Sequence, residues 1–287
     1  MGREDGAMSK VWGRVVILVL LLPALLYLAL PTIFHALGMH PAYHGVSHRM
    51  PPGSKALIVT TSHAELGDTG RKTGVFSSEL TWPYYTFLDA GMQVDVATIA
   101  GGAVPFDPVS FIWCIEAPSD KRSKEDLNFA AKTGHTPRID DVDVSAYDIV
   151  FLAGGWGAAF DLGTSAALGE KITQAWAAGK VVGGVCHGPL GLLLARDEQG
   201  APLVRGRRLT AVTDRQVEQL GVTLTPQHPE RELRAAGARF ERRTKWLEAL
   251  ATHCVQDGHL VTGQNQNAGE EVAELMMAAA GGVPKQR

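Results

Sequence analysis

The sequence has few cysteines and no excess of basic residues. Only Cys114, Cys186 and Cys254 occur among 287 residues, and no two form a C-x-x-C pair. Neither a disulfide scaffold nor a zinc ribbon is therefore supported, and we expect no metal or cofactor. The net charge of −3 gives no sign of a nucleic-acid-binding surface. Internal repeats and low-complexity tracts are also absent.

The N-terminal region differs from the rest of the chain. Residues 15–34 are apolar and uncharged and follow a short polar tail, residues 1–14, that carries basic residues. This pattern predicts a single-pass membrane anchor with its N-terminus in the cytoplasm and the remaining chain on the outer side. The alternative is a cleaved signal peptide with a cleavage site near 36–38. Residues 35–54, rich in His, Pro and Gly, are predicted to form a linker.

Residues 55–282 have the pattern of one α/β domain. Short β-branched runs alternate with helical segments, which predicts a mainly parallel sheet covered by helices on both faces. Ligands of such sheets bind at the carboxyl ends of the strands. The predicted strands begin at 55, 93, 147, 181 and 208, and a hairpin over 253–261 turns at Asp257-Gly258. The predicted helices are one ending near 90, then 121–131, 164–178, 214–220, 231–236 and 270–280.

A strand, a tight turn and a helix are predicted around Cys186. The small or β-branched run 181–185 leads into Gly184-Val-Cys186-His187-Gly188, and the apolar run 190–195 follows. This is the setting of a nucleophile elbow. A thiol at the N-terminus of a helix would also be favoured as thiolate. A buried structural cysteine is the alternative, but the two glycines favour a reactive one.

The elbow cysteine needs a proton acceptor and donors for a developing oxyanion. His187 is adjacent in sequence, although adjacent residues on a turn often point apart. Glu79 is the second candidate, in a stretch otherwise poor in charge; it could equally be an acid that satisfies a helix N-terminus. Backbone N–H groups near Gly155, Trp156 and His187 are candidates for the oxyanion hole.

Three motifs resemble one known superfamily. Gly184-Val-Cys-His-Gly-Pro189, Ala153-Gly-Gly-Trp-Gly157 and Gly74-Val-Phe-Ser-Ser-Glu79 are similar to the PfpI-type, class I glutamine amidotransferase-like proteins. Further similarity, at 105–110, 232–238 and 257–265, points to the branch of heat-shock chaperones and glyoxalase III (D-lactate dehydratase) enzymes.

The resemblance implies a flavodoxin-like sandwich with Cys186, His187 and Glu79 as the catalytic residues. The implied activity is the glutathione-independent conversion of methylglyoxal to D-lactate, a lyase reaction on a small carbonyl compound. Deglycase and chaperone activities and a homodimer also fit the resemblance. Two residues depart from the pattern, because Trp82 and Trp156 stand where histidine is common and would place large rings near the substrate pocket.

Two other interpretations remain open. Gln227-His228-Pro229-Glu230 is similar to the His-Pro-Glu of true glutamine amidotransferases, and a triad of Cys186, His228 and Glu230 would hydrolyse glutamine. The same segment is also typical of an ordinary helix N-terminus. Alternatively, the protein is a stress-binding domain in which Cys186 is a redox sensor.

Overall fold

The computed structural model describes the backbone of residues 4–222 and 224–285, with side chains from residue 21 onward. The ten strands described are β1 His48–Arg49, β2 Lys55–Thr60, β3 Gln93–Thr98, β4 Ile149–Leu152, β5 Val181–Val185, β6 Arg208–Leu209, β7 Arg239–Phe240, β8 Cys254–Asp257, β9 Leu260–Gly263 and β10 Val283–Pro284. The nine α-helices described are α1 Glu4–Leu37, α2 Ser77–Asp89, α3 Pro118–Glu125, α4 Leu127–Gly134, α5 Ala158–Asp161, α6 Ala166–Ala177, α7 Asp214–Gln219, α8 Pro229–Ala235 and α9 Gly269–Ala279.

Six strands form the central sheet, in the order β3-β2-β4-β5-β9-β8. The first five are parallel, and β8 pairs with β9 as an antiparallel edge. The chain order reverses at β2 and β4, as in doubly wound sheets that bind ligands beyond their carboxyl ends. The predicted flavodoxin-like, mainly parallel α/β sandwich is therefore confirmed.

Alternation along the strands gives the sheet two apolar faces. Ile58 and Phe151 point to the face covered by α2 and α9, while Leu57, Val150 and Leu152 point to the face covered by α6. All five side chains are fully buried. Continuous apolar strands are expected where both faces of a parallel sheet are covered, and this burial fixes the strand ends that carry the site.

The prediction of a membrane anchor at 15–34, and with it a single-pass membrane location, is wrong. Part of that range, 15–20, lies outside the residues whose side chains are described. Within the described residues, no helix combines the length and the apolar character needed to cross a membrane. The described end of α1 instead contacts the globular domain, where the rings of Tyr27 and Trp113 lie 4.6 Å apart.

The predicted linker, residues 35–54, is held against the domain rather than surrounded by solvent. The backbone N–H of His40 donates to Oδ1 of Asn267 at 3.0 Å. His48 is buried, and its Nδ1 lies 3.0 Å from Oε2 of Glu274. Strand β1 then pairs with β10. The contacts of His40, His48 and β1 therefore tie this segment to residues near the C-terminal end of the chain.

Two helix predictions differ from the structure for local reasons. The predicted helix over 121–131 is two helices, because Asp126 adopts an extended conformation and caps the N-terminus of α4 by accepting from the N–H groups of Asn128 and Phe129. The predicted helix after Cys186 is a 3-10 turn, Gly188–Leu192. Short 3-10 turns lack the aligned peptides that give a long α-helix its dipole.

Candidate active site

Cys186 stands on a strained turn at the carboxyl end of β5. Its φ is 58°, a left-handed conformation that is uncommon for a residue with a side chain. The backbone on both sides is fixed, since the N–H of Cys186 donates to the carbonyl of Gly263 and its own carbonyl accepts from Val212. The thiol is thus presented at the edge of the sheet in a rigid geometry, and its residue is only 8% exposed.

The two glycines of the elbow are required by close packing. A Cβ atom on either Gly184 or Gly188 would overlap the carbonyl oxygen of Leu152 on the neighbouring strand. Neither glycine has a left-handed backbone; the residue that does is Cys186 itself. The G-x-C-x-G spacing therefore reflects how tightly the elbow packs against β4.

Helix α2 brings Glu79 to the elbow. Glu79 lies in the first turn of α2 and is 1% exposed. A Cβ atom on Gly154, in the loop after β4, would lie 2.5 Å from Oε2 of Glu79 and 2.6 Å from the backbone nitrogen of His187. A glycine at 154 therefore allows the carboxyl group to occupy the space beside the elbow.

Burial raises the pKa of Glu79 to about 8, because a carboxylate loses its hydration inside the protein. The nearby Cys186 thiol and the N–H groups of Gly154 and Gly155 act in the opposite direction. Oε2 of Glu79 nevertheless has no hydrogen-bond partner of good geometry in the described part of the chain. The carboxyl group is consequently mostly protonated at pH 7, unlike an exposed glutamate.

The pKa of the Cys186 thiol is raised well above its usual range, first by burial and then by negative charge on Glu79. The N–H groups of Gly155 and His187 oppose this rise. The expectation that a helix dipole would favour thiolate is therefore wrong, since the elbow leads into a short 3-10 turn and desolvation dominates. Glu79 and Cys186 therefore titrate as a coupled pair, in which the protonation of one residue depends on that of the other.

His187 is fully enclosed beside the thiol. Its Nδ1 lies 3.4 Å from Sγ of Cys186, and its ring lies 4.8 Å from that of Trp156. Burial lowers the pKa of His187 to about 3, with a smaller contribution from the charge of His228. The imidazole is thus neutral at physiological pH, and its Nε2 has no partner within the described residues.

A cavity of about 40 Å³ opens at the thiol. This is far smaller than the roughly 300–1,000 Å³ of pockets for drug-sized ligands, so it suits a molecule of few heavy atoms. Four of the predicted site residues besides Cys186 line it: Glu79, Gly155, Trp156 and His187. Trp82 is not among them, because it faces a separate surface groove between α2 and α9.

The alternative triad with His228 and Glu230 is not assembled. Glu230 is held by the guanidinium groups of Arg234 and Arg242, at 3.0 and 3.1 Å. The carboxylate paired with His228 is Asp214, at 3.4 Å. Neither His228 nor Glu230 lines the cavity.

Six residues that line the cavity were not among those predicted from the sequence. They come from α7 and the residues flanking it, from the segment before β8 and from the turn after β9: Val212, Gln216, Leu220, Ala249, Asn265 and Gln266. The sequence signal for these residues was the motif at 257–265, which ends at Asn265. That motif indicated the family but did not predict that Asn265 lies near Cys186.

Comparisons with known proteins show which family this chain is similar to. Residues 72–279 match the DJ-1/PfpI family. Glyoxalase 3 of Candida albicans is 31% identical over 78% of this chain and 98% of its own length. A probable glutathione-independent glyoxalase of Saccharomyces cerevisiae is 30% identical over 76% of this chain and 94% of its own.

A solved structure gives the same result. The crystal structure of glyoxalase III from Candida albicans superposes with a TM-score of 0.71 at 29% identity, over 79% of this chain and 97% of that one. The resemblance inferred from the elbow, the glycine loop and the Glu79 segment is therefore confirmed. The chain belongs to the DJ-1/PfpI family.

Proposed function

We propose that this protein is a glutathione-independent glyoxalase that converts methylglyoxal to D-lactate. The observation that carries the proposal is the pairing of Cys186 with Glu79, a buried carboxyl of pKa about 8, at a cavity of about 40 Å³. A reactive thiol, a proton carrier poised near neutral pH and a very small cavity fit a three-carbon carbonyl compound. The similarity to glyoxalases of two yeasts supports the same activity.

The first step is addition of the thiol to the aldehyde. The Cys186 sulfur bonds to C1 of methylglyoxal as the C1=O double bond opens. The proton lost by the thiol is passed through the carboxyl of Glu79 to the aldehyde oxygen, which becomes the hydroxyl of a hemithioacetal. The N–H groups of Gly155 and His187 are the donors close to the sulfur. They are well placed to stabilise the oxygen at C1 as its charge develops.

The second step moves a proton between adjacent carbons. The C1–H bond and the O–H bond of the hydroxyl on C1 break, while a C2–H bond and an O–H bond on C2 form. The ketone at C2 thereby becomes a hydroxyl, and C1 becomes a thioester. Glu79 suits this transfer better than His187, since a group with a pKa near 8 accepts and releases protons readily at neutral pH. His187, with a pKa of about 3, stays neutral.

Water then completes the cycle. Hydrolysis of the thioester breaks the carbon–sulfur bond, releases the hydroxy acid and returns the thiol to Cys186. The sequence of steps has no net oxidation, which agrees with a lyase that needs no redox cofactor.

The test is the production of D-lactate from methylglyoxal without glutathione by the full chain, compared with the Cys186→Ala and Glu79→Gln variants. We expect production by the wild type and a loss of at least about 100-fold in both variants. Cys254→Ala, which changes a thiol outside the cavity, is the matched control and should keep full activity.

A parallel assay addresses the alternative chemistry. Incubation with glutamine should release no ammonia, and His228→Ala should leave lactate formation within a few-fold of wild type. Ammonia release that depends on Cys186 and His228 would overturn the proposal in favour of an amidotransferase.

A further inference from the structure

Three side-chain amides line the cavity: Gln216, Asn265 and Gln266. Two of them are fully engaged in holding the cavity wall. Nε2 of Gln216 donates to the carbonyls of Glu248 and Ala251, at 2.8 and 3.1 Å. Nδ2 of Asn265 donates to the carbonyls of Ala249 and Ala251.

The acceptor atoms of these two amides are also occupied. Oε1 of Gln216 accepts from the N–H of Thr213, and Oδ1 of Asn265 accepts from the N–H of Asn267. Both residues are almost completely buried. Their role is therefore to clamp the segment around Ala249 in place as one side of the cavity, and neither has a free group for a ligand.

Gln266 is different from its two neighbours on the wall. It is half-buried, it begins the 3-10 turn Gln266–Ala268, and its side-chain amide makes no hydrogen bond to any described residue. A surface glutamine without hydrogen-bond partners would be unremarkable, but Gln266 lines a cavity of about 40 Å³ that Cys186 also lines. Of the three side-chain amides, that of Gln266 is the one that makes no hydrogen bond to a described residue.

We propose that Gln266 is the substrate-binding residue for the second carbonyl oxygen, the one on C2 of the dicarbonyl. This inference rests on the proposed function. The backbone donors of Gly155 and His187 lie on the sulfur side of the cavity and serve the oxygen on C1. An N–H of the Gln266 amide, from another residue of the same cavity, donates to the oxygen on C2.

This contact assists one particular step of the reaction, the proton transfer between C1 and C2. While the proton leaves C1 and before it reaches C2, the electrons of the broken C1–H bond pass toward the ketone, and the oxygen on C2 gains negative charge. A neutral donor facing that oxygen binds the charged state more strongly than the ketone, so it accelerates the transfer. Gln266 thus supports the proton transfer in addition to binding.

The experiment compares Gln266→Leu, which keeps the size but removes the amide, with wild type in methylglyoxal turnover. Gln256→Leu is the matched control, because Gln256 is exposed on β8 and does not line the cavity. We expect kcat to fall about 10- to 100-fold in Gln266→Leu with a smaller rise in KM. The rate of Cys186 alkylation by iodoacetamide in the absence of substrate should stay unchanged, which shows that the elbow is intact.

A kcat for Gln266→Leu within twofold of wild type would overturn the inference. So would an equal loss in Gln256→Leu, since the effect would then not depend on the cavity. A fall in kcat accompanied by an altered alkylation rate would also count against it, because Gln266 would then act through the fold of the elbow.

Failure of the proposed function is separately visible. If the wild type makes no lactate, the binding of methylglyoxal is measured by the protection that it gives Cys186 against iodoacetamide. Protection of the wild type that weakens about tenfold in Gln266→Leu would keep the carbonyl-binding role while the reaction is rejected. Equal protection of both proteins, or none of either, would overturn the role as well.

Discussion

Oε2 of Glu79 lies 2.5 Å from the point that a Cβ atom of residue 154 would occupy, so Gly154 and Glu79 share one space that admits no additional methyl group. The same point lies 2.6 Å from the backbone nitrogen of His187. The glycine pair after β4 is therefore part of the site, because it allows the carboxyl group and the elbow to approach each other.

Gly154→Ala should displace the Glu79 carboxyl from the thiol. We expect kcat/KM for methylglyoxal to fall at least about 100-fold and the free energy of unfolding to fall by about 1–3 kcal/mol, the usual cost of overpacking. Gly134→Ala is the control, since a Cβ there meets nothing within 4 Å and the backbone is not left-handed. Steady-state kinetics with denaturant unfolding measures both effects, and an active Gly154→Ala variant would contradict the shared-space interpretation.

Glu79→Gln should change the dependence of stability on pH. The pKa of Glu79 is about 8 in the folded protein and near the ordinary glutamate value of 4.5 when unfolded, so the folded state binds the extra proton between these values. Stability should therefore fall as pH rises from about 4.5 to 8, by an amount on the order of a few kcal/mol. Thermal unfolding across this range should show a flatter profile for Glu79→Gln than for wild type or for the exposed-site control Glu125→Gln. Parallel profiles would show that Glu79 titrates normally.

His187→Gln should protect the protein against acid. The pKa of His187 is about 3 in the folded state and 6.5 without burial, so the unfolded chain binds the extra proton in this window. Stability contributed by the neutral imidazole is present above pH 6.5 and is lost as pH falls toward 3. We expect Tm to decline less steeply for His187→Gln than for wild type between pH 6.5 and 4, with His44→Gln, at an exposed position, as the control. Identical slopes would show that His187 is not kept neutral by burial.

Trp156→Ala should widen the range of aldehydes accepted. The indole packs against His187 and forms one wall of the cavity, so its removal opens space for a substituent larger than methyl. We expect the ratio of kcat/KM for phenylglyoxal over methylglyoxal to rise about tenfold or more. Trp82→Ala removes the same side chain outside the cavity and should leave the ratio unchanged. A shift in that variant would return Trp82 to the substrate pocket, where the sequence had placed it.

Local patterns in the sequence were enough to predict the main strands of the sheet and the turn at Cys186. Alternation and β-branched runs place strands at 55–60, 93–98 and 181–185 within a residue or so. The first and last of these are buried on both faces, while 93–98 is an edge strand whose first half alternates in exposure. Local patterns were insufficient where a single side chain decides, as at Asp126, which ends one helix and begins the next. They also misjudged residues 15–34, where composition alone favoured a membrane anchor.

The sequence by itself determined which residue carries the thiol and that Glu79, Gly155, Trp156 and His187 were candidates to surround it, since short motifs encode turn geometry and residue chemistry. Only the tertiary structure decided how these groups are tuned. Burial, a property of the whole fold, raises the pKa of Glu79, lowers that of His187 and removes the expected thiolate. Asn265 and Gln266 likewise reach the cavity because β5 pairs with β9, a contact between distant parts of the chain that no local pattern specifies.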